Sequence, residues 1–256
     1  MNRDRIWRIC AIASAVGFLA WILFSPRLSD DPLVHRLAEG TVYRAFGASV
    51  FLFALLYLGY RVWGRGCKGS WRVFLPALVI AVNNLPIIAL ASGEARVTNT
   101  GLLWLFALEC LFIGLFEELT FRGVLLPMFL QKRRSSSREI FWVTAVSSAV
   151  FGLIHLINLA EGAGVGATLL QVGYSFLIGG MCAIVLLKTG SLPLCILIHA
   201  VYDFCGGLVP TLGEGRLWDT PTVILTAVLS VLVAAYMVWT LLHIKPEETD
   251  RLYDSP

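Results

Sequence analysis

Eight long apolar runs, each set off from the next by a short polar or basic segment, constrain this chain more than any other feature. A helix needs about 20 mostly apolar residues to cross a hydrocarbon layer of about 30 Å. With no water available to backbone groups, only helices or closed barrels can cross it. The runs are too long and too unbroken for tilted barrel strands, so they predict helices. The spans fall at approximately Ile6–Phe24, Ala45–Val62, Phe74–Ala91, Gly101–Leu130, Ile140–Ala160, Gly166–Leu187, Leu192–Pro210 and Pro221–His243. Composition agrees: 57% of the 256 residues are hydrophobic and 14% charged, with a mean hydropathy of +0.77. A soluble domain is about 45–50% apolar and about 25% charged. The expectation is an all-α polytopic membrane helix bundle of about eight transmembrane helices, with residues 1–256 forming one integral membrane domain.

The first run follows Asn2-Arg3-Asp4-Arg5, like the start of a signal peptide. It is longer than a signal-peptide core and lacks a small-x-small cleavage site, so it is read as a retained helix. Lys and Arg then set the orientation. With the N-terminus cytoplasmic, the inside segments carry Arg3, Arg5, Arg8, Arg61, Arg65, Lys68, Arg72, Lys132, Arg133, Arg134, Arg138, Lys188, Lys245 and Arg251. The outside loops carry Arg27, Arg36, Arg44, Arg96 and Arg216. This bias predicts a multi-pass protein of a cell membrane, bacterial in character, with both termini cytoplasmic. The net charge of +3 is modest and its basic residues sit between apolar runs, which argues against nucleic-acid binding. The six cysteines (10, 67, 110, 182, 195 and 205) have no paired spacing of a disulfide framework or zinc knot.

Ionisable side chains inside these spans are the exception that asks for a reason. On insertion scales, a charge at the bilayer centre costs about 2.5–3.5 kcal/mol. Glu117, Glu118, Arg122, His155, His199 and Asp203 all fall within predicted spans. Glu118 with Arg122, and His199 with Asp203, are i,i+4 pairs that share a helix face. Glu117 is turned away from Arg122 by about 140° on a regular helix. From the cytoplasmic ends of their spans, Glu117 lies at roughly 20 Å, His155 at roughly 22 Å, His199 at roughly 11 Å and Asp203 at roughly 17 Å. Three helices therefore bring these groups toward one polar cavity near mid-membrane. A carboxylate beside imidazoles can take a proton from water and return it to a leaving amine, which is general acid–base hydrolysis. No serine or cysteine stands in the setting of a covalent nucleophile.

At this point the residues resemble a family. Glu117-Glu118-Leu-Thr-Phe-Arg122 fits EExxxR, Phe151-Gly-Leu-Ile-His155 fits FxxxH, and His199-Ala-Val-Tyr-Asp203 fits HxxxN/D. In that order on successive apolar helices they look like the CPBP family of intramembrane proteases, which includes the CAAX prenyl endopeptidases and the bacterial Abi proteins. The motifs occupy about a third of the chain, within a core of about 101–210. The resemblance implies an endopeptidase acting on a membrane-associated protein or peptide in the bilayer. Glu117 would activate the attacking water, His155 would position it, and Glu118 with Arg122 would brace the site. His199 and Asp203 would stabilise the oxyanion or hold the substrate carbonyl. Asp203 stands where the eukaryotic prenyl-protein members often carry Asn, and a carboxylate donates no hydrogen bond unless protonated. A metal-free glutamate mechanism without cofactor is the favoured reading; a zinc site of Glu117, His155 and His199 is the less favoured one.

Two other function classes fit parts of the pattern. Chains of Glu, His and Asp also serve proton-coupled transporters, although no repeat of two halves is visible. A non-proteolytic scaffold or immunity-type protein is the other. Outside the motifs, Glu109 is placed at the outer mouth of the cavity or at the outer interface. Asn83 and Asn84 before Pro86 predict a kinked third helix, Gln171 and Tyr174 are read as interhelical contacts, and Gly179 and Gly180 as close-packing positions. His35 is placed in a loop and His243 at a helix end. An entrance for substrate is placed beside the basic Gln131–Arg138 loop. The composition leaves the oligomeric state open, since a dimer face and a lipid face read alike.

Overall fold

The computed structural model describes residues 3–64, 70–215 and 220–253; Arg65, Cys67, Lys68 and Arg216 lie outside them. The first hairpin is α1 (Arg3–Phe24) packed on α2 (Pro32–Leu58). Asp31 starts α2 by accepting from the amides of Leu33 and Val34 at 2.8 and 3.0 Å, with Pro32 in the first turn. Gly59, at φ 74°, ends it in the left-handed conformation that a side chain would oppose. The helix therefore begins a dozen residues before the predicted span, and His35 sits in its first turn rather than in a loop. Hydrophobicity located the span, but the cap that sets its start lies outside the apolar run.

The third span is shorter than predicted. Helix α3 (Trp71–Asn83) stops, the chain turns through Asn84-Leu85-Pro86, and α4 (Ile87–Ser92) resumes for six residues. The fourth is unbroken but not uniform. It runs from α5 (Leu103–Glu118) through a seven-residue π-helical segment (Leu119–Leu125) into α6 (Leu126–Leu130). Helix α7 (Ser137–Leu153) is capped by Ser136 and passes into a 3₁₀ segment (Ile154–Leu159). Then follow α8 (Val165–Thr189), α9 (Leu192–Leu212), α10 (Thr220–Leu242) and the short α11 (Pro246–Asp250). Among the described residues, six helices are long and apolar enough to cross a membrane, α7 counted with its 3₁₀ extension. The architecture is the expected helical bundle, but the count of eight spans is not met on length: α3 has 13 residues, and the fourth run divides between helix types.

A minor departure from an all-α chain is a two-stranded antiparallel ribbon, β1 (Ala95–Val97) with β2 (Gly213–Gly215), which pairs Ala95 with Gly215 and Val97 with Gly213. It ties the approach to α5 to the end of α9, and an Arg96–Glu214 ion pair reinforces it. The opposite end of the bundle is closed by the C-terminal segment. There Arg61 donates its amide to Leu252, Ser137 bonds the carbonyl of Ile244, and Lys188 pairs with Glu248.

Helix α8 is the axis of the core. Every residue from Ile178 to Leu187 is buried, as expected of a helix that is apolar on all sides and surrounded by others. Lipid supplies no hydrophobic drive for helix to meet helix, so close approach through small residues carries the packing. Gly114 places α5 against the backbone of α9, where an added Cβ would stand 3.0 Å from the carbonyl oxygen of Ile196. Gly152 does the same for α7 on α8, at 2.8 Å from the carbonyl of Val172. The first contact joins two of the motif-bearing segments, and the second seats the third on the central α8. The outer faces, by contrast, carry exposed Ile, Leu and Val, as on α1 and α10.

Candidate active site

The polar residues that the sequence placed in apolar helices meet in two layers, one dry and one open to a cavity. Glu118 closes α5, and Arg122 lies one turn on in the π segment. The guanidinium donates from Nη1 to Oε1 of Glu118 at 2.9 Å, with the two side chains 1% and 0% exposed. The same Oε1 accepts from Nδ1 of His199 on α9 at 2.7 Å. A carboxylate beside a guanidinium only accepts, so Nδ1 carries the proton of that bond. The other ring nitrogen is thereby presented to the second layer. Nε2 of His199 lies 3.5 Å from Oε2 of Glu117 and 3.6 Å from Oδ2 of Asp203. Glu117 and Asp203 are each 24% exposed, against 5% for His199. One imidazole thus connects a sealed ion pair to two carboxylates that reach open space.

His155 comes from the 3₁₀ segment after α7, not from a continuous helix as predicted. Its Nδ1 stands 3.1 Å from the carbonyl oxygen of Phe151. A carbonyl can only accept, so Nδ1 holds the hydrogen of that contact, and in the neutral ring Nε2 carries the lone pair. Phe151 itself organises the centre. Its ring lies edge-to-face with His155 and His199, at 5.5 and 5.8 Å between centroids, and Cζ of Arg122 sits over it at 4.5 Å. The reading of the motifs gave this residue no task. Its only sequence signal is its place one turn before His155.

Gly179 makes room for the buried layer. A Cβ there would fall 2.6 Å from Nη2 of Arg122 and 2.8 Å from Cδ1 of Phe151. The expected close-packing role is therefore met, and it serves the site. The π segment is the second feature the sequence did not reveal. Segments of this kind relieve an extra residue in a helix and are frequent at functional sites, and this one starts directly after Glu118.

A cavity of about 630 Å³ gathers Glu117, His155, His199 and Asp203 on its walls, with Phe151 at its base. Glu118 and Arg122 do not line it; they stand behind it. From Glu117 the cavity follows α5 past Ile113 to Phe106, and from His199 it follows α9 to Thr211, roughly 16–18 Å along each axis. Glu109 is on this wall, 5% exposed and paired with Arg44 of α2 at 3.2 Å. Asn158 bonds Gln171 at 2.8 Å across the opposite wall. Tyr174 lines the space and packs on Tyr202. Asn83 and Asn84 make interhelical bonds, to Thr226 and to the carbonyl of Tyr202.

The expected entrance is corrected. No residue of 131–138 lines this cavity. Gln131, Lys132, Arg133 and Arg138 border a different hollow, of about 780 Å³, at the other end of the bundle, with none of the six motif residues in it. Charge suggested a doorway there, but the basic run marks an end of the bundle and not the opening. Among the described residues, no three or more His, Cys, Asp and Glu side chains form a group that could hold a metal ion.

With this arrangement in view, residues 99–205 match the family model described as Rce1-like, type II CAAX prenyl endopeptidase. The match covers the dry layer, the cavity carboxylates and both histidines. No curated protein and no solved structure matches the chain at a significant level.

Proposed function

We propose that this chain, whose residues 99–205 match the type II CAAX prenyl endopeptidase family, is an intramembrane endopeptidase that cleaves a membrane-associated protein or peptide with water activated by Glu117 and His155. The observation that carries the reading is the sharing of one cavity by Glu117, His155, His199 and Asp203 above a sealed Glu118–Arg122 pair. Burying a carboxylate and a guanidinium is costly unless they serve one another. Here the pair also fixes His199, which gives the expense a purpose.

The reaction follows from what each atom can do. A water between the Glu117 carboxylate and Nε2 of His155 loses its proton to Glu117 as its oxygen attacks the scissile carbonyl. The carbonyl oxygen gains negative charge, and His199, with Nδ1 held by Glu118, presents Nε2 toward it. In its protonated form Nε2–H donates to that oxygen, and a fixed donor of this kind costs no reorganisation during the reaction. Asp203 lies 3.6 Å away, where it supports the charged imidazole and, once protonated, can donate as well. Glu117 then passes its proton to the departing amine, which completes the exchange of water for peptide bond. Arg122 and Glu118 touch no substrate atom; they are positioning residues.

The test is to replace Glu117 by Gln and His155 by Ala, compare the lengths of membrane proteins in cells carrying each form, and confirm thermal unfolding of each purified protein in detergent. Loss of a positioned acid–base group lowers the rate by about 10²–10⁴-fold, so the processed forms should disappear while folding persists. Undiminished processing by a folded Glu117→Gln protein would overturn the proposal.

A further inference from the structure

The cavity runs from the buried motif residues toward one end of the bundle, and charge says which side of the membrane that end faces. Its rim carries exposed Arg36 of α2, Ala167 of α8 and Pro210 of α9, whereas its base is the fully buried Phe151. The rim lies at the end where α9 runs into the β1–β2 ribbon and where Asn158 bonds Gln171. This end holds acidic residues in number: Asp30, Asp31, Glu94, Glu161 and Glu214. Three of its arginines are neutralised within it, Arg27 by Asp30, Arg44 by Glu109 and Arg96 by Glu214. The opposite end, behind the dry Glu118–Arg122 layer, is the basic one. Arg61 follows α2, Arg72 opens α3, and Lys132, Arg133, Arg134 and Arg138 join α6 to α7. Excess Lys and Arg in short loops stay on the cytoplasmic side.

From these two asymmetries together we infer that the cavity opens to the extracytoplasmic side, so its substrate is an anchored polypeptide whose cleaved segment lies outside the cytoplasm. The substrate half of this inference rests on the endopeptidase reading above; the orientation half does not. A substrate modified and presented at the cytoplasmic face would meet the closed, basic end. A segment that has already crossed the membrane, by contrast, reaches Glu117 along the α5 and α9 walls without passing the ion pair. The reaction that supplies such a substrate is therefore membrane translocation of the polypeptide.

Orientation and hydrolysis can be tested apart. Ala167→Cys at the rim and Ser135→Cys at the basic end are introduced separately, both exposed in the structure. Intact cells are treated with a membrane-impermeant maleimide before and after permeabilisation, with the parent chain as the background for native cysteines. Ala167→Cys should gain label before permeabilisation and Ser135→Cys only after it. The reverse pattern, or equal labelling of both from outside, overturns the inference. New protein termini that depend on wild-type chain and vanish with Glu117→Gln should map to extracytoplasmic segments, and their mapping to cytoplasmic segments would equally overturn it. If no such termini arise while the labelling holds, the endopeptidase reading fails and the orientation stands.

Discussion

Gly179 shows how little space the buried layer leaves. It has an ordinary helical backbone, so its need is for volume and not for conformational freedom. An added methyl group would press on the Arg122 guanidinium and the Phe151 ring together, and neither can withdraw: one is held by Glu118 and the other is wedged between two imidazoles. Overpacking of this kind costs about 1–3 kcal/mol. Gly179→Ala should lower the thermal midpoint in detergent and, by shifting Phe151 under both histidines, reduce cleavage more than it reduces stability; unchanged activity would show that the ring does not set the imidazoles. At this scale the sequence was informative wherever a residue type was out of place. Glu117, Glu118, Arg122, His155, His199 and Asp203 stood out because hydrocarbon penalises charge, and the cavity and its backing hold all six. Phe151 was visible only as a motif letter and Gly179 only as a packing position, since an aromatic and a glycine are ordinary in an apolar helix. Their work depends on which neighbours the fold brings.

Elements were legible in their interiors and less so at their ends and irregularities. Apolar length found α8, α9 and α10 within a few residues. It missed the early start of α2, which an Asp-Pro cap decides, and it rendered the broken α3–α4 as one kinked span. The π segment after Glu118 and the 3₁₀ segment at His155 were invisible because hydrogen-bond register, not composition, defines them. Both sit where a motif residue must be aimed. Helix α11 lends itself to a pH test. Lys188 grips the Glu248 carboxylate at 2.9 and 2.8 Å, and the amide of Lys245 donates to it as well. Partial burial alone would raise the Glu248 pKa, but these donors and the Lys188 charge outweigh it and hold the group below its ordinary 4.5. The depressed value means that the stabilisation is complete above the unfolded-state pKa and fades as pH falls through the folded-state one. Amide protection in 246–252, measured against the intrinsic exchange rate at each pH, should therefore fall below about pH 4.5 in the wild type. In Glu248→Gln it should already be low at neutral pH, and equal protection of the two proteins at pH 7 would rule the contact out as the fastener.

At the scale of the whole molecule, the bundle has a dry, basic end and a wet, acid-bordered end, and the sequence disclosed the first better than the second. Lys and Arg counts speak directly about sidedness. The direction in which a hollow opens depends on which side chains line it, here those of α5, α8 and α9 toward the ribbon end, and no count reports that. The hollow also has a floor. Phe151 and the ion pair beneath it bar the way through, so under the proposed function a peptide cut at Glu117 would have no back exit there. A fragment released there would leave by the same throat and compete with the next arrival for it. Added cleavage fragment should then slow turnover competitively, raising the apparent KM with kcat unchanged. Steady-state kinetics that instead showed indifference to added fragment would mean that a side door exists between the helices.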